Sequence, residues 1–224
     1  CLKDGVLPQP KATEGPLELR FDWVHGMQPL DLATTYQDGV GRAVRFAAIK
    51  FLLCDLHAYD DDSTLVAGFP GSTLLVDARY PGRTWAMGNM ADGHIHAIHF
   101  TAGHDRPTGT GSVQDDPEML GPHGHLRAQL LITGHVDSNG DGIVDPLVDQ
   151  PFELRPGGPL LVRQRHLHLH ADMFDGRTVT LGLMLDIRML MIGVDLLNTP
   201  HVAGEGEDAA RLMNNLAAGI MVRY

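Results

Sequence analysis

The chain has 224 residues and a formal net charge of −11 at pH 7, and this length is enough to bury one large hydrophobic core without disulfide bonds. No segment gathers Lys and Arg onto one face, so the composition excludes nucleic acid as an expected partner. No apolar run reaches the ~18 residues that a membrane-spanning helix needs.

The amino-terminal segment, residues 1–16, is polar and proline-rich, and it starts with Cys1. This pattern resembles a bacterial lipoprotein after signal cleavage, in which the cysteine carries lipid and the next residues form a flexible tether. We therefore predict lipidation at Cys1, a tether over residues 1–16 and one folded domain over residues 17–224. The alternative is a chain boundary that falls on a cysteine by chance. With Cys1 set aside, only Cys54 remains, and we expect it to be a small buried hydrophobe.

Most of the chain reads as β-strands, because alternating or continuous apolar segments are separated by turns that contain Gly and Pro. The predicted strands cover residues 17–21, 44–56, 73–78, 94–100, 126–133, 160–170, 178–187 and 220–224. Residues 205–216 have an acidic first turn and a helical apolar spacing, which predicts one short C-terminal helix. The expected fold is all-β, a single-domain antiparallel β-sandwich with this helix packed against one edge.

Histidines give the main chemical signal, because most of the 13 His are clustered at strand-like spacing. Trp23 and His25 lie two positions apart, so a strand places both rings on one face. His94 and His96 are expected to share a face, with His99 on the other. Three more are expected on one face of a later strand, namely His166, His168 and His170. Imidazoles at such spacing can chelate a metal ion, and the alternative is a solvated polar face.

These features combine into a resemblance to a known family. Its opening segment is Leu19-Arg20-Phe21-Asp22-Trp23-Val24-His25, followed by Pro29-Leu30, Tyr36, Gly41 and residues 51–56. The pattern continues through residues 93–103, His168-Leu169-His170 and residues 178–186. In order and spacing, the chain resembles the MbnP-like family of bacterial copper-binding envelope proteins.

The resemblance implies a β-sandwich lipoprotein or secreted protein that binds copper, in some members with a tryptophan oxidised to kynurenine by a partner dihaem enzyme. For this chain we expect His25, His96 and His168 to converge on copper, with Trp23 beside them and His94 and His166 as the nearest substitutes. Imidazole nitrogens are suitable ligands for copper. The implied location is the bacterial cell envelope, with lipid attachment to the outer membrane and a dihaem oxidase or an outer-membrane transporter as partner.

A separate acidic loop, residues 137–145, follows the Asp-x-Asn-x-Asp-Gly pattern of calcium sites. The expected oxygen ligands are the side chains of Asp137, Asn139, Asp141, Asp145 and Asp149 and the carbonyl of Ile143. Position 12 is Val148 rather than the glutamate of an EF-hand, and no helices are predicted beside the loop, so a structural half-site is expected. The alternative is an acidic turn that binds no ion.

Two other functions fit parts of the pattern. The four histidines His94, His96, His123 and His125 are similar to ligands of copper-zinc superoxide dismutases, which are also β-sandwiches, although the chain lacks a second structural cysteine. An accessory lipoprotein of an outer-membrane transporter, in which the histidines bind nothing, is the other alternative. The sequence favours a protein that handles copper, carries a calcium loop and is not itself an enzyme.

Overall fold

A computed structural model describes residues 13–104, 116–120 and 128–223. These residues form two β-sheets with one large hydrophobic core between them. The predicted all-β sandwich and its short C-terminal helix are confirmed. No helix in the described ranges is long and apolar enough to cross a membrane.

The described residues contain 13 strands and two α-helices. The strands are β1 (Glu14–His25), β2 (Gln28–Pro29), β3 (Tyr36–Gln37), β4 (Ala43–Tyr59), β5 (Leu65–Asp77), β6 (Thr84–Ala91), β7 (Gly93–Ala102), β8 (Leu130–Val136), β9 (Gln150–Pro156), β10 (Arg163–Met173), β11 (Val179–Asp186), β12 (His201–Gly204) and β13 (Ile220–Arg223). The helices are α1 (Ile187–Leu190) and α2 (Glu207–Gly219), the second of which lies two to three residues later than predicted.

The sheets are mixed rather than purely antiparallel. One has five strands in the order β13-β11-β1-β2, with β6 also paired to β1, and the other has eight in the order β10-β7-β4-β8-β9-β12, with β3 and β5 paired to β4. The pairs β1–β11 and β9–β12 are parallel. Side-chain alternation encodes which face of a strand is buried and carries no information on strand direction, so the sequence pattern could not reveal these two pairs.

The sequence pattern did not predict β6, β9 and β12, nor the two-residue strands β2 and β3. Strand β9 begins and ends near prolines, Pro151 and Pro156, and proline weakens the sequence signal of a strand. Strand β6 contains Gly88 at φ 112°, where its pairing with β1 shifts register between Leu17 and Glu18. A glycine and a bulge break the alternation on which the prediction depends.

The inward face of β1 supplies much of the core. Leu17, Leu19, Phe21 and Trp23 are all buried. The rings of Phe21, Trp23 and Phe51 meet edge to face, with centroid separations of 5.3 to 5.6 Å. This geometry is favoured by the ring quadrupoles. Trp23 is therefore a core residue that joins the two sheets.

A lysine is fully buried on the opposite face of β4. The Nζ of Lys50 lies 2.5 Å from Asp116 Oδ2 and 3.7 Å from Asp77 Oδ2, and it also forms an ion pair with Glu118. Burial opposes the charged form of Lys50, but hydrogen bonds to Asp116 and Glu118 outweigh it and raise the lysine pKa above its ordinary value. For Asp116, burial is outweighed by the hydrogen bond from Lys50, and the pKa of this carboxyl is lowered.

Candidate metal centre

The candidate centre lies where β7 pairs with the edge strand β10. The even-numbered residues of β10, from Gln164 to Asp172, are exposed, while Leu169 and Met173 are buried. His94 lies directly opposite Asp172, and His99 lies opposite His166. Directly opposed residues of neighbouring strands project from the same face of the sheet. The pairing register therefore gathers histidines from both strands on one outer face.

His99 lies on this face, contrary to the prediction from strict alternation. The pairing of β10 with β7 shifts register between His168 and Ala171, so two residues of one strand lie opposite one residue of the other. Such an irregularity changes which residues of a strand share a face. Since bulges have no reliable sequence signature here, the position of His99 became apparent only from the strand pairing.

Three histidines form a triad with ligand geometry. One ring nitrogen each of His94, His96 and His170 lies within 4.8 Å of those of the other two. His94 Nε2 and His170 Nδ1 are 3.1 Å apart. Two nitrogens that each lie about 2.0 Å from one ion in tetrahedral geometry are about 3.3 Å apart. The triad therefore fits a transition-metal ion with little movement of these two rings.

A carboxylate fixes the orientation of the first triad member. His94 Nδ1 lies 2.7 Å from Asp172 Oδ1, and this hydrogen bond raises the pKa of His94 above its ordinary value. When Nδ1 donates its proton to Asp172, Nε2 presents a lone pair toward His170. A carboxylate that holds the second ring nitrogen of a histidine in this way is the common outer partner of metal ligands.

The second triad member has an incompletely satisfied nitrogen. His96 Nδ1 is buried and has no hydrogen-bond partner in the described structure. The carboxylate of Asp61 is close, with Oδ1 at 3.4 Å from this nitrogen and 3.9 Å from His94 Nε2. Buried polar atoms without a partner are uncommon in folded proteins, so this nitrogen needs a ligand or a proton acceptor.

The triad is one end of a longer row of rings, which we call the imidazole stripe. In spatial order it consists of His94, His170, His96, His168, His166, His99 and His57. Consecutive ring centroids from His94 to His99 are 5.3, 5.2, 5.2, 5.0 and 6.4 Å apart, and His57 on β4 pairs directly with His99. Burial, together with the neighbouring His166 and His57, lowers the pKa of His99.

The remaining predicted copper residues lie elsewhere. His25, at the end of β1 in the other sheet, packs on Tyr36 with centroids 4.5 Å apart, at an open cavity of about 930 Å³. Among the described residues the structure does not bring it into a ligand group, so the predicted meeting of His25 with His96 and His168 is not seen. His96 meets His94 and His170 instead, because β7 and β10 are neighbours and β1 is not.

Asp61 and Asp172 were missed as site residues. A signal existed for Asp172, because His170-Ala171-Asp172 continues the alternation that places His166 and His168 on one face. For Asp61 there was none. It lies in the turn between β4 and β5, and only the return of this turn toward β7 brings it near the triad.

The predicted calcium loop connects β8 to β9, and its acidic side chains bind the loop's own backbone. Asp137 accepts hydrogen bonds from the amides of Asn139, Gly140 and Gly142. Asp149 accepts from the amides of Ser138 and Asp145, and the first of these bonds is the main reason for its lowered pKa. The other four predicted ligands are exposed, namely Asn139, Asp141, Ile143 and Asp145. These bonds order the loop, and calcium binding stays a prediction.

Several predicted residues lie outside the described ranges. Cys1 and most of the predicted tether are among them, as are His123 and His125. Lipid attachment and the dismutase-like alternative therefore stay predictions.

A solved structure with a similar fold is MbnP from Methylosinus trichosporium. It matches 88% of this chain and 82% of its own length, with a TM-score of 0.53 and 12% sequence identity. No protein-family model matches the chain, and no curated protein matches its sequence. The likeness concerns the fold, and it confirms the MbnP-like fold that the sequence resemblance predicts.

Proposed function

We propose that this protein binds copper through His94, His96 and His170 and serves in copper acquisition, storage or handling rather than catalysis. The observation that carries the proposal is the triad itself, in which three imidazole nitrogens lie within 4.8 Å of one another. Asp172 supports it by holding His94 with Nε2 directed toward His170.

The choice of copper rests on ligand chemistry together with the sequence resemblance. Imidazole nitrogens bind copper, zinc, iron and nickel, and among divalent first-row ions copper is bound most tightly. A bound ion would replace the direct contact between His94 Nε2 and His170 Nδ1, which lie 3.1 Å apart. The triad side chains would hold the ion at the surface, since all three retain exposure to solvent.

The cellular setting proposed from the resemblance is the bacterial envelope. We propose lipid attachment to the outer membrane. We also propose a partner protein, either an outer-membrane transporter that delivers or receives the copper ion or a dihaem oxidase that modifies the chain. An ion held on an exposed strand edge is accessible to a partner protein, which suits transfer better than a buried site does.

The direct test is copper titration against a competing chelator, performed separately for copper(I) and copper(II). We expect wild-type protein to bind one ion tightly and His96→Ala to lose that tight site. The variant keeps only two of the three imidazole ligands, and two ligands bind an ion much less tightly than three. His201→Ala is the matched control, since this histidine is exposed on β12, away from the stripe. If His96→Ala retains wild-type affinity for both oxidation states, the triad is not the copper site.

We further propose that the loop between β8 and β9 binds calcium as a structural ion. An ion bound at ~100 times its dissociation constant stabilises the folded state by about 2.7 kcal/mol, which corresponds to a rise in melting temperature of about 5–10 °C for a domain of this size. We expect Asp141→Asn to lose most of this rise, with Asp62→Asn as the control. Calorimetry with calcium and with EDTA measures it, and equal wild-type melting temperatures in both would refute calcium binding.

A further inference from the structure

We propose that Asp61 is a fourth ligand of the triad ion and that its carboxylate makes the site prefer copper(II) to copper(I). This inference rests on the proposed function and specifies the chemical state of the ion. Its basis is the placement of one carboxylate oxygen beside two triad nitrogens.

The distances place the Asp61 carboxylate next to the triad. Asp61 Oδ1 lies 3.4 Å from His96 Nδ1 and 3.9 Å from His94 Nε2, and the latter nitrogen lies 3.1 Å from His170 Nδ1. Atoms that bind one small ion are separated by about 3–4 Å. Asp61 Oδ1 thus lies beside two of the three triad histidines. Asp61 is not itself in the group whose ligand atoms all lie within 4.8 Å of one another, so its carboxylate has to move toward the ion to become a fourth ligand.

The buried nitrogen of His96 points to the same position independently. His96 Nδ1 is buried and has no hydrogen-bond partner in the described part of the chain. An ion bound between His96 Nδ1 and Asp61 would give this nitrogen a partner. It would also draw the exposed Asp61 carboxylate toward the triad. Because the Asp61 side chain is 65% exposed, that movement meets no packing resistance.

The local backbone positions Asp61 without using its carboxylate. In the turn between β4 and β5, the neighbouring Asp60 accepts hydrogen bonds from the amides of Asp62 and Thr64 at 3.0 and 2.7 Å. The preceding aspartate thus closes the turn, and the side chain of Asp61 remains directed to the histidines. Its replacement by asparagine removes a charge and leaves the turn intact.

The ligand set determines which oxidation state is bound more tightly. Copper(I) is a soft ion that prefers thiolate, thioether and imidazole ligands, whereas copper(II) accepts nitrogen and oxygen ligands together. A carboxylate therefore adds more to the binding of copper(II), through both its charge and its hard oxygen. Three imidazoles without this oxygen would bind copper(I) well.

The test compares Asp61→Asn with Asp62→Asn in chelator-competition titrations with copper(II) and with copper(I). We expect Asp61→Asn to weaken copper(II) binding by at least ~10-fold, by analogy with the loss of carboxylates around metal sites, and to change copper(I) binding by less than ~3-fold. The copper(II) electron paramagnetic resonance spectrum of Asp61→Asn should change, with the coupling to three nitrogens retained. Asp62→Asn should match wild type throughout.

The outcomes separate this inference from the proposed function. If Asp61→Asn binds copper(II) as wild type does, or weakens both oxidation states equally, Asp61 is not a selective ligand, although the triad still binds copper. If wild-type protein binds neither state tightly, the proposed function itself fails. Unchanged melting temperatures of both asparagine variants without metal confirm that the comparison reports on binding.

Discussion

Replacing Lys50 with methionine should lower the free energy of unfolding by about 3–5 kcal/mol, the usual cost of removing one partner from a buried ion pair. Methionine preserves most of the side-chain volume, so the loss comes from charge rather than from a cavity. Of the three carboxylates around Lys50, Asp77 and Glu118 would keep Arg79 as a second cation, at 2.8 and 3.1 Å. Asp116 would lose the one ion pair that it forms among the described residues. Chemical denaturation of wild type and Lys50→Met measures the difference.

A second variant identifies the cause of this loss. Adding Asp116→Asn to Lys50→Met should recover part of the stability, because it removes the carboxylate left without a cation. A double variant as unstable as Lys50→Met, or less stable, would show that packing and not charge dominates.

Because of the same ion pair, we expect the free energy of unfolding to fall in acid. The pKa of Asp116 is lowered in the folded state, so its contribution is fully present above the ordinary aspartate value of about 3.9 and is lost as the pH falls through the lowered value. The loss of stability below about pH 4 should be shallower in Asp116→Asn, in which this carboxyl cannot be protonated.

Replacing Trp23 with alanine should also destabilise the fold by about 3–5 kcal/mol, the usual range for truncating a buried aromatic side chain. The indole is 3% exposed and lies edge to face with Phe21 and Phe51. The copper affinity of the folded variant should equal that of wild type, because the triad lies on other strands. Thermal unfolding and copper titration together test both statements.

The second tryptophan provides a matched control. Trp85 on β6 is only partly buried and lies under the guanidinium of Arg83, 5.3 Å from the ring centroid, so Trp85→Ala should cost about 1 kcal/mol. If Trp23→Ala abolishes copper binding while the fold survives, the Trp23-His25 segment contains the copper site and the triad does not.

The burial of Trp23 also means that an oxidase acting on it would have to reach a side chain of the core.

The parts of the structure that the sequence predicts well are those set by local alternation. The inward face of β1 follows from the period-two pattern of Leu17, Leu19 and Phe21, and the buried face of α2 follows from the spacing of Leu212, Met213 and Leu216. The exposure of the β10 histidines follows from the same rule. In each case neighbouring residues in the chain determine which face is buried.

The metal centre could be predicted only in part, because its members come from separate segments. The histidine strands were identified, but the pairing of His94 with Asp172 depends on register across two strands, and the approach of Asp61 depends on a turn from a third. His25 was predicted as a ligand from the Trp23-x-His25 spacing and from the family resemblance, and neither shows that β1 lies in the other sheet. The burial of Lys50 could not be predicted from the sequence either, because its acidic partners are 27 to 68 positions away in the chain.

The imidazole stripe has a practical consequence for anyone who purifies this protein. Seven histidine rings on one outer face of the sheet, three of them exposed, form a natural counterpart of an engineered polyhistidine tail, since clustered imidazoles bind nickel and copper held on a chromatographic resin. The untagged chain should therefore be retained on such a resin and released by imidazole. An added tail would compete with the stripe for every ion titrated, so stoichiometries are meaningful only for protein from which the tail has been removed.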